Sequence, residues 1–170
     1  SNYTNKKALG QFVKHSDKIT YEFENIPLES LNFLEKNSQI FPGIKALKYS
    51  QDRLLEKEFI SNLGISVAPF YQIKNYVDLK GALEKLNGNA ILKTRKFGYD
   101  GKGQNTIKKY RIPNIKNNIE KNKYIIEGVI KFKKEISVIV IVKKDGSTLC
   151  YEPSENKHMN GILREAVFPA

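Results

Sequence analysis

Apolar positions at helical spacing open the chain. Leu9, Phe12 and Val13 share one face of a predicted helix over residues 6–15. The pattern then switches to alternation, with Ile19, Tyr21 and Phe23 on one side of a predicted strand over residues 17–23. Pro27 stands where a helix can begin, because its missing N–H is unpaired there in any case. Leu28, Leu31 and Leu34 continue that helix on one face. Helix, strand, helix is the closing part of an α/β unit. No glycine-rich first turn precedes it, so the fold is expected to start in its middle.

The remaining pattern predicts a second, more strand-rich region. Pro42-Gly43 interrupts the chain, and one long helix is expected over residues 44–63, stopped at Gly64. Residues 67–73 read as an extended entry, residues 78–86 as a short amphipathic helix, and residues 90–93 as a buried strand. A glycine-rich loop follows over residues 97–104. Residues 111–123 are polar, contain Pro113, and suit a surface connection or short helix. Strands are expected at 124–127 and 135–142. Asp145-Gly146 turns the second into residues 147–151, a hairpin signal. A last strand begins at Leu163. Neither an internal repeat nor a low-complexity tract is visible.

Composition narrows the class. The 170 residues are 40 % hydrophobic and 28 % charged, which suits a globular chain with a real core. No apolar run approaches a membrane span, and the opening residues lack the apolar segment of a signal peptide. The net charge of +11 invites a nucleic-acid reading. However, 25 of the 29 basic residues are Lys, and Asn and Ile are also abundant. All three have AT-rich codons, so base composition accounts for much of the charge. Specific base readers rely on Arg forks, and only four Arg are present. No nucleic-acid partner is expected. Cys150, the sole cysteine, cannot form an internal disulfide and is expected to be a small buried residue. Two histidines, His15 and His158, are too few for a His-rich metal site.

One constellation carries candidate chemistry. Lys93 ends a buried strand and can project a compact charge toward a phosphate. Gly98, Tyr99, Asp100, Gly101, Lys102, Gly103 and Gln104 follow. Three glycines within six residues let backbone N–H groups approach phosphate oxygens without Cβ clashes. Glu127, and beyond it Glu135, could accept hydrogen bonds from ribose hydroxyls; alternatively, the backbone around Glu127 could face a base edge. The loop is neither a Walker P-loop nor a dinucleotide fingerprint, since its glycines are spaced GxxGxG. The residues alone leave a second reading open. The glycines could serve only turn geometry, and Lys93 could be a strand-end lysine snorkelling to water.

Order and spacing carry more than any single motif. The segment 17–27, Gln51-Asp52-Arg53 with Lys57, Leu92-Lys93-Thr94-Arg95 with the loop 98–104, Glu127, residues 134–138, Glu155-Asn156-Lys157-His158 and residues 161–164 together resemble the 5-(carboxyamino)imidazole ribonucleotide synthases. These are ATP-grasp ligases of purine biosynthesis, and the likeness runs from about residue 8 to residue 170. It implies an α/β fold: the end of a Rossmann-like pre-ATP-grasp domain with a connecting helix (1–60), a small α+β lid (61–130), and the start of the large ATP-grasp sheet (131–170). It implies ATP, bicarbonate and aminoimidazole ribonucleotide as substrates, Mg2+ as cofactor, a cytoplasmic setting and a homodimeric parent.

The same resemblance assigns residues. Arg53 and Lys93 would contact ATP, and Gly98 to Gln104 would cover its phosphates, with Asp100 shaping the loop. Glu127, Gly128, Val129 and Ile130 would line the adenine pocket through their backbone. Glu135 would hold the ribose and His158 would lie near the nucleotide. Bland alternatives stand beside these. Arg53, four residues before Lys57, could lie on a solvated helix face; Glu127 and Glu135 could be structural ion-pair partners; His158 could be a surface residue in a polar turn. Tyr21, Glu22 and Glu24 could face a substrate cleft. The family's opening Gly-rich turn and its later magnesium ligands have no counterpart among these residues. The chain is therefore expected to be a central fragment, inactive alone. Another ATP-grasp ligase, a nucleotide sensor and a basic binding module are the alternatives.

Overall fold

The structure is a computed structural model describing residues 2–99, 101–113, 119 and 123–170. The first part is α/β. Helix α1 (Lys6–Lys14) is capped by the Asn5 side chain, which accepts from the Ala8 N–H. Strand β1 (Lys18–Thr20) pairs in parallel with β2 (Gln39–Phe41), and α2 (Leu28–Glu35) connects them. Ile19 and Ile40 face one another across that pair and are buried with Leu31, Leu34 and Leu47. Strand β2 has no counterpart in the sequence pattern, because three residues show only one buried apolar position.

The long helix expected over 44–63 is two helices. Helix α3 (Ile44–Ser50) ends at Gln51, and α4 (Arg53–Asn62) starts afresh behind Asp52. The Asp52 carboxylate accepts from the Leu54 N–H, as an N-cap does. The apolar spacing runs on through both helices. A period of 3.6 residues therefore does not reveal the break, whereas the capping residue does.

The second unit has its own core. Strands β3 (Phe70–Ile73), β4 (Ala90–Thr94), β5 (Gln104–Ile107) and β6 (Tyr124–Gly128) form an antiparallel sheet in the order β3-β6-β4-β5. Helix α5 (Tyr76–Lys85) covers one face, capped by Asn75. Ile73, Leu79, Leu83, Leu92, Ile107 and Ile126 are essentially inaccessible. The glycine-rich loop is the β4–β5 connection, so Lys93 stands opposite Gln104 at its base.

The third part differs from the expected pattern in three places. The single strand predicted over 135–142 is two: β7 (Glu135–Ser137) and β8 (Val140–Val142). They enter different sheets. Strand β8 forms a hairpin with β9 (Thr148–Cys150) through the Gly146 turn, whose φ is +82°. Strand β7 joins β10 (Ser154–Met159) and β11 (Ile162–Val167) in the order β11-β10-β7. A run of β-branched residues does not show where a chain changes sheets. His158 lies in β10 and not in a turn. Cys150 is exposed, because neither face of the β8–β9 hairpin is covered. Most of the expected segment 111–123 lies outside the described residues, as does Asp100.

Candidate functional site

Helix α4 sets the site from behind. Asp52 is almost fully buried and receives two hydrogen bonds from Arg95, at 2.9 Å from Nε and 2.6 Å from Nη2. Burial alone would raise the Asp52 pKa. The hydrogen bonds and charge of Arg95 and the N–H groups of Leu54 and Leu55 outweigh it and hold the carboxyl below its usual range. Arg95 follows β4, so this pair ties the helix start to the strand end. The Arg53 N–H also donates to the Arg95 carbonyl at 3.0 Å.

Arg53 itself reaches the loop. Its guanidinium donates to the Thr94 carbonyl and to the Gly98 carbonyl, each at 2.9 Å. The residue is therefore not on a solvated face; in this state it clamps the two ends of the turn that leaves β4. A Cβ at Gly98 would sit 3.0 Å from Arg53 Nη1 and 3.1 Å from the Lys102 carbonyl. At Gly103, where φ is +74°, a Cβ would meet Thr94 Oγ1 at 2.6 Å. Gly103 is thus required by close approach and by its left-handed backbone, whereas Gly98 is constrained by close approach alone. Tyr99 and Lys102 stack on the outer side of the loop, with Lys102 Nζ 4.5 Å from the ring centroid. The tip at Gly101 approaches the Asn160 carbonyl in the β10–β11 turn.

One buried carboxylate meets two ammonium groups beside this loop. Glu127, on central strand β6, accepts from Lys93 Nζ at 2.9 Å, and Lys57 Nζ lies 3.6 Å from the same oxygen. Register explains the first contact: Ile91 pairs with Glu127, so Lys93 lies two residues along the same face of the sheet. The second comes from α4, where Lys57 follows Arg53 by one helical turn. The side-chain exposures are 16 % for Lys57, 8 % for Glu127 and 24 % for Lys93. Lys93 is thus the outermost of the three.

Glu135 and His158 form a second group. The His158 ring nitrogen Nδ1 lies 3.3 Å from Glu135 on adjacent strands β10 and β7. Gly128 is packed against Pro69 and Leu86, and the following Val129 and Ile130 are exposed. Gly128, Val129 and Ile130 line an open cavity of about 630 Å³ with Leu86, Asn89 and Thr106. Among the described residues, no cluster of three or more His, Cys, Asp or Glu side chains is placed to hold a metal ion. Likewise, no helix is long and apolar enough to cross a membrane.

Arg53, Lys93 and Glu127 are legible in the sequence as candidate ligands, whereas the parts played by Arg95 and Lys57, and the pairing of Asp52 with Arg95, are visible only in the fold. A signal for Asp52 was present: an Asp directly before an amphipathic helix is a capping residue. Arg95 and Lys57 carried no such signal, because their partners are 43 and 70 positions away in the chain.

Comparison with known proteins adds a family. The ATP-grasp domain matches residues 58–170, and a ribonucleotide synthetase preATP-grasp domain matches residues 1–51. The chain is 42 % identical to a bifunctional purine synthesis protein purC/E of Dictyostelium discoideum, covering all of this chain and 18 % of that protein. It is 38 % identical to an N5-carboxyaminoimidazole ribonucleotide synthase of Brucella melitensis, covering 99 % of this chain and 47 % of that one. A solved structure described as the ADP complex of purK, an N5-carboxyaminoimidazole ribonucleotide synthetase, superposes with a TM-score of 0.93 at 36 % identity. That match covers all of this chain and 45 % of the other. The chain thus spans about half the length of the curated synthase it matches.

Proposed function

The chain belongs to the ATP-grasp family, and from that premise we propose that it forms the ATP-binding part of a 5-(carboxyamino)imidazole ribonucleotide synthase. The reaction joins ATP, bicarbonate and aminoimidazole ribonucleotide in purine biosynthesis, through carboxyphosphate. The likeness to a synthetase that binds ADP, over the whole of this chain, is the observation that carries the reading.

The geometry supports roles for particular residues. Lys93, outermost of its cluster, meets a nucleotide phosphate as a point charge. The loop from Gly98 to Gln104 lies over the phosphates, offering N–H groups where a Cβ would not fit. Its closure keeps water from a labile acyl phosphate. Gly128, Val129 and Ile130 line the adenine side with their backbone. Glu135, with His158 beside it, takes the ribose hydroxyls. Arg53 acts on ATP through the loop it clamps. Magnesium accompanies the nucleotide and neutralises phosphate charge when bound. The setting is cytoplasmic and the enzyme is a homodimer.

The test is ADP formation by an enzyme containing this chain, with magnesium and bicarbonate, with and without aminoimidazole ribonucleotide. Strong stimulation by the ribonucleotide is expected. Its absence, in protein that binds ATP, would move the assignment to another ATP-grasp ligase. The 170-residue chain is expected to bind ATP.

A further inference from the structure

We propose that Lys57 is a positioning residue that keeps Lys93 available for phosphate by sharing the charge of Glu127. The inference rests on the nucleotide reading above and adds a residue to it. Glu127 is the most buried member of the cluster, and one of its oxygens faces both ammonium groups. A buried carboxylate with a single lysine partner forms a closed pair, and that lysine then offers little net charge to a ligand. Here two ammonium groups face one carboxylate, which leaves one unit of positive charge. Glu56 on α4 lies within electrostatic reach of both Lys57 and Arg53, and counting Arg53 and Glu56 together leaves that net positive unit unchanged.

Geometry says where that charge is presented. Lys57 is the less exposed of the two lysines, at 16 %, and its ammonium also lies 5.8 Å from the centroid of the Phe70 ring. Lys93 is the more exposed, at 24 %, and stands on the strand that leads into the glycine loop. Lys57 comes from a helix and Lys93 from a strand, so the cluster also couples α4 to the sheet. Removing the Lys57 charge leaves a neutral Lys93–Glu127 pair facing the loop. The affinity that falls should therefore be the affinity for phosphate, while contacts to a nucleoside persist.

The experiment is equilibrium binding of ATP and of adenosine to the folded chain. Lys57→Met keeps the length and packing of the stem and removes the charge. ATP affinity is expected to fall about tenfold, the scale of one unit charge acting through an intervening residue in a partly screened site. Adenosine affinity should stay within about twofold, and Lys57→Arg should restore most of the ATP affinity. In a Glu127→Gln background, the effect of Lys57→Met on ATP should shrink, since no carboxylate remains to be shared. If Lys57→Met folds poorly, Lys57→Gln takes its place in the same measurements with the same expected outcomes. Equal losses for ATP and adenosine, or an unchanged ATP affinity, would overturn the proposal and make Lys57 a packing strut. Wild-type chain that is folded but binds neither ligand would instead sink the nucleotide reading, and this inference with it.

Discussion

The sheet of residues 70–128 and the strands of residues 135–167 are both antiparallel and rich in β-branched residues, yet they are held differently. In the first, β3, β4 and β6 bury an apolar row under α5, and Ile73, Leu79, Leu92 and Ile126 have no measurable exposure. In the second, every residue of β7, β8 and β9 is exposed, and Val140, Ile141 and Val142 are between 42 % and 68 % accessible. A β-rich pattern therefore specifies pairing in both, but among the described residues a covering layer lies over the first sheet and not over β7, β8 and β9. Hydrogen bonding alone contributes modestly to stability; removal of apolar surface from water contributes most.

That contrast can be broken by matched truncations. Leu92→Ala in the covered sheet is expected to destabilise the chain by about 2–5 kcal/mol, the range for large-to-small changes in a core. Leu149→Ala in the uncovered hairpin is expected to cost no more than about 0.5 kcal/mol. Denaturant titration of both variants measures the difference. Equal losses would mean that the outer strands are packed in solution.

A smaller effect separates the buried ion pair from the exposed ones. Asp52→Asn is expected to cost about 2 kcal/mol, from weakened capping and an Arg95 left without its charge partner. The pH dependence follows from the depressed Asp52 pKa. A carboxyl whose folded pKa lies below its unfolded value contributes stability above the unfolded pKa, near about 3.9. That contribution is lost as pH falls through the folded value. The stability difference between wild type and Asp52→Asn should therefore be constant above about pH 4 and shrink below it, vanishing once pH has fallen through the folded pKa.

Glu56 works with the opposite sign and sharpens the point. Burial, the largest influence on it, raises its pKa, against the nearby charges of Lys57 and Arg53. Its ionised form is thus disfavoured by folding, and its contribution falls as pH rises through the folded pKa. Glu56→Gln should gain slightly in stability at neutral pH. The smallest effect is expected in the third part. Lys157→Gln breaks an ion pair with Glu165 whose side chains are both more than half exposed. Its unfolding midpoint should not move from that of wild type.

Much of this molecule was legible in residue order. The helices of residues 6–14 and 76–85, the strands at 90–94 and 124–128, and the Asp145-Gly146 hairpin follow from local periodicity and turn chemistry. So did the candidate phosphate loop, because GxxGxG after a buried strand is a local pattern. The break at Asp52 was equally local but was hidden by apolar spacing that continues through it.

What lay beyond reach was every feature made by distant segments. Strand β2 exists because it pairs with β1, and residues 135–142 divide because their two halves find different partners. Arg53 turns to the Thr94 and Gly98 carbonyls, Arg95 to Asp52, and Lys57 to Glu127, across 41 to 70 positions of chain. The sequence by itself determined which residues could form elements and which loop could approach an anion, since φ/ψ preference and side-chain period act over a few residues. Only the tertiary structure decided which charges face one another and which apolar faces are covered. Both depend on the low-dielectric, water-excluding contacts that appear when α4 and α5 meet the sheet.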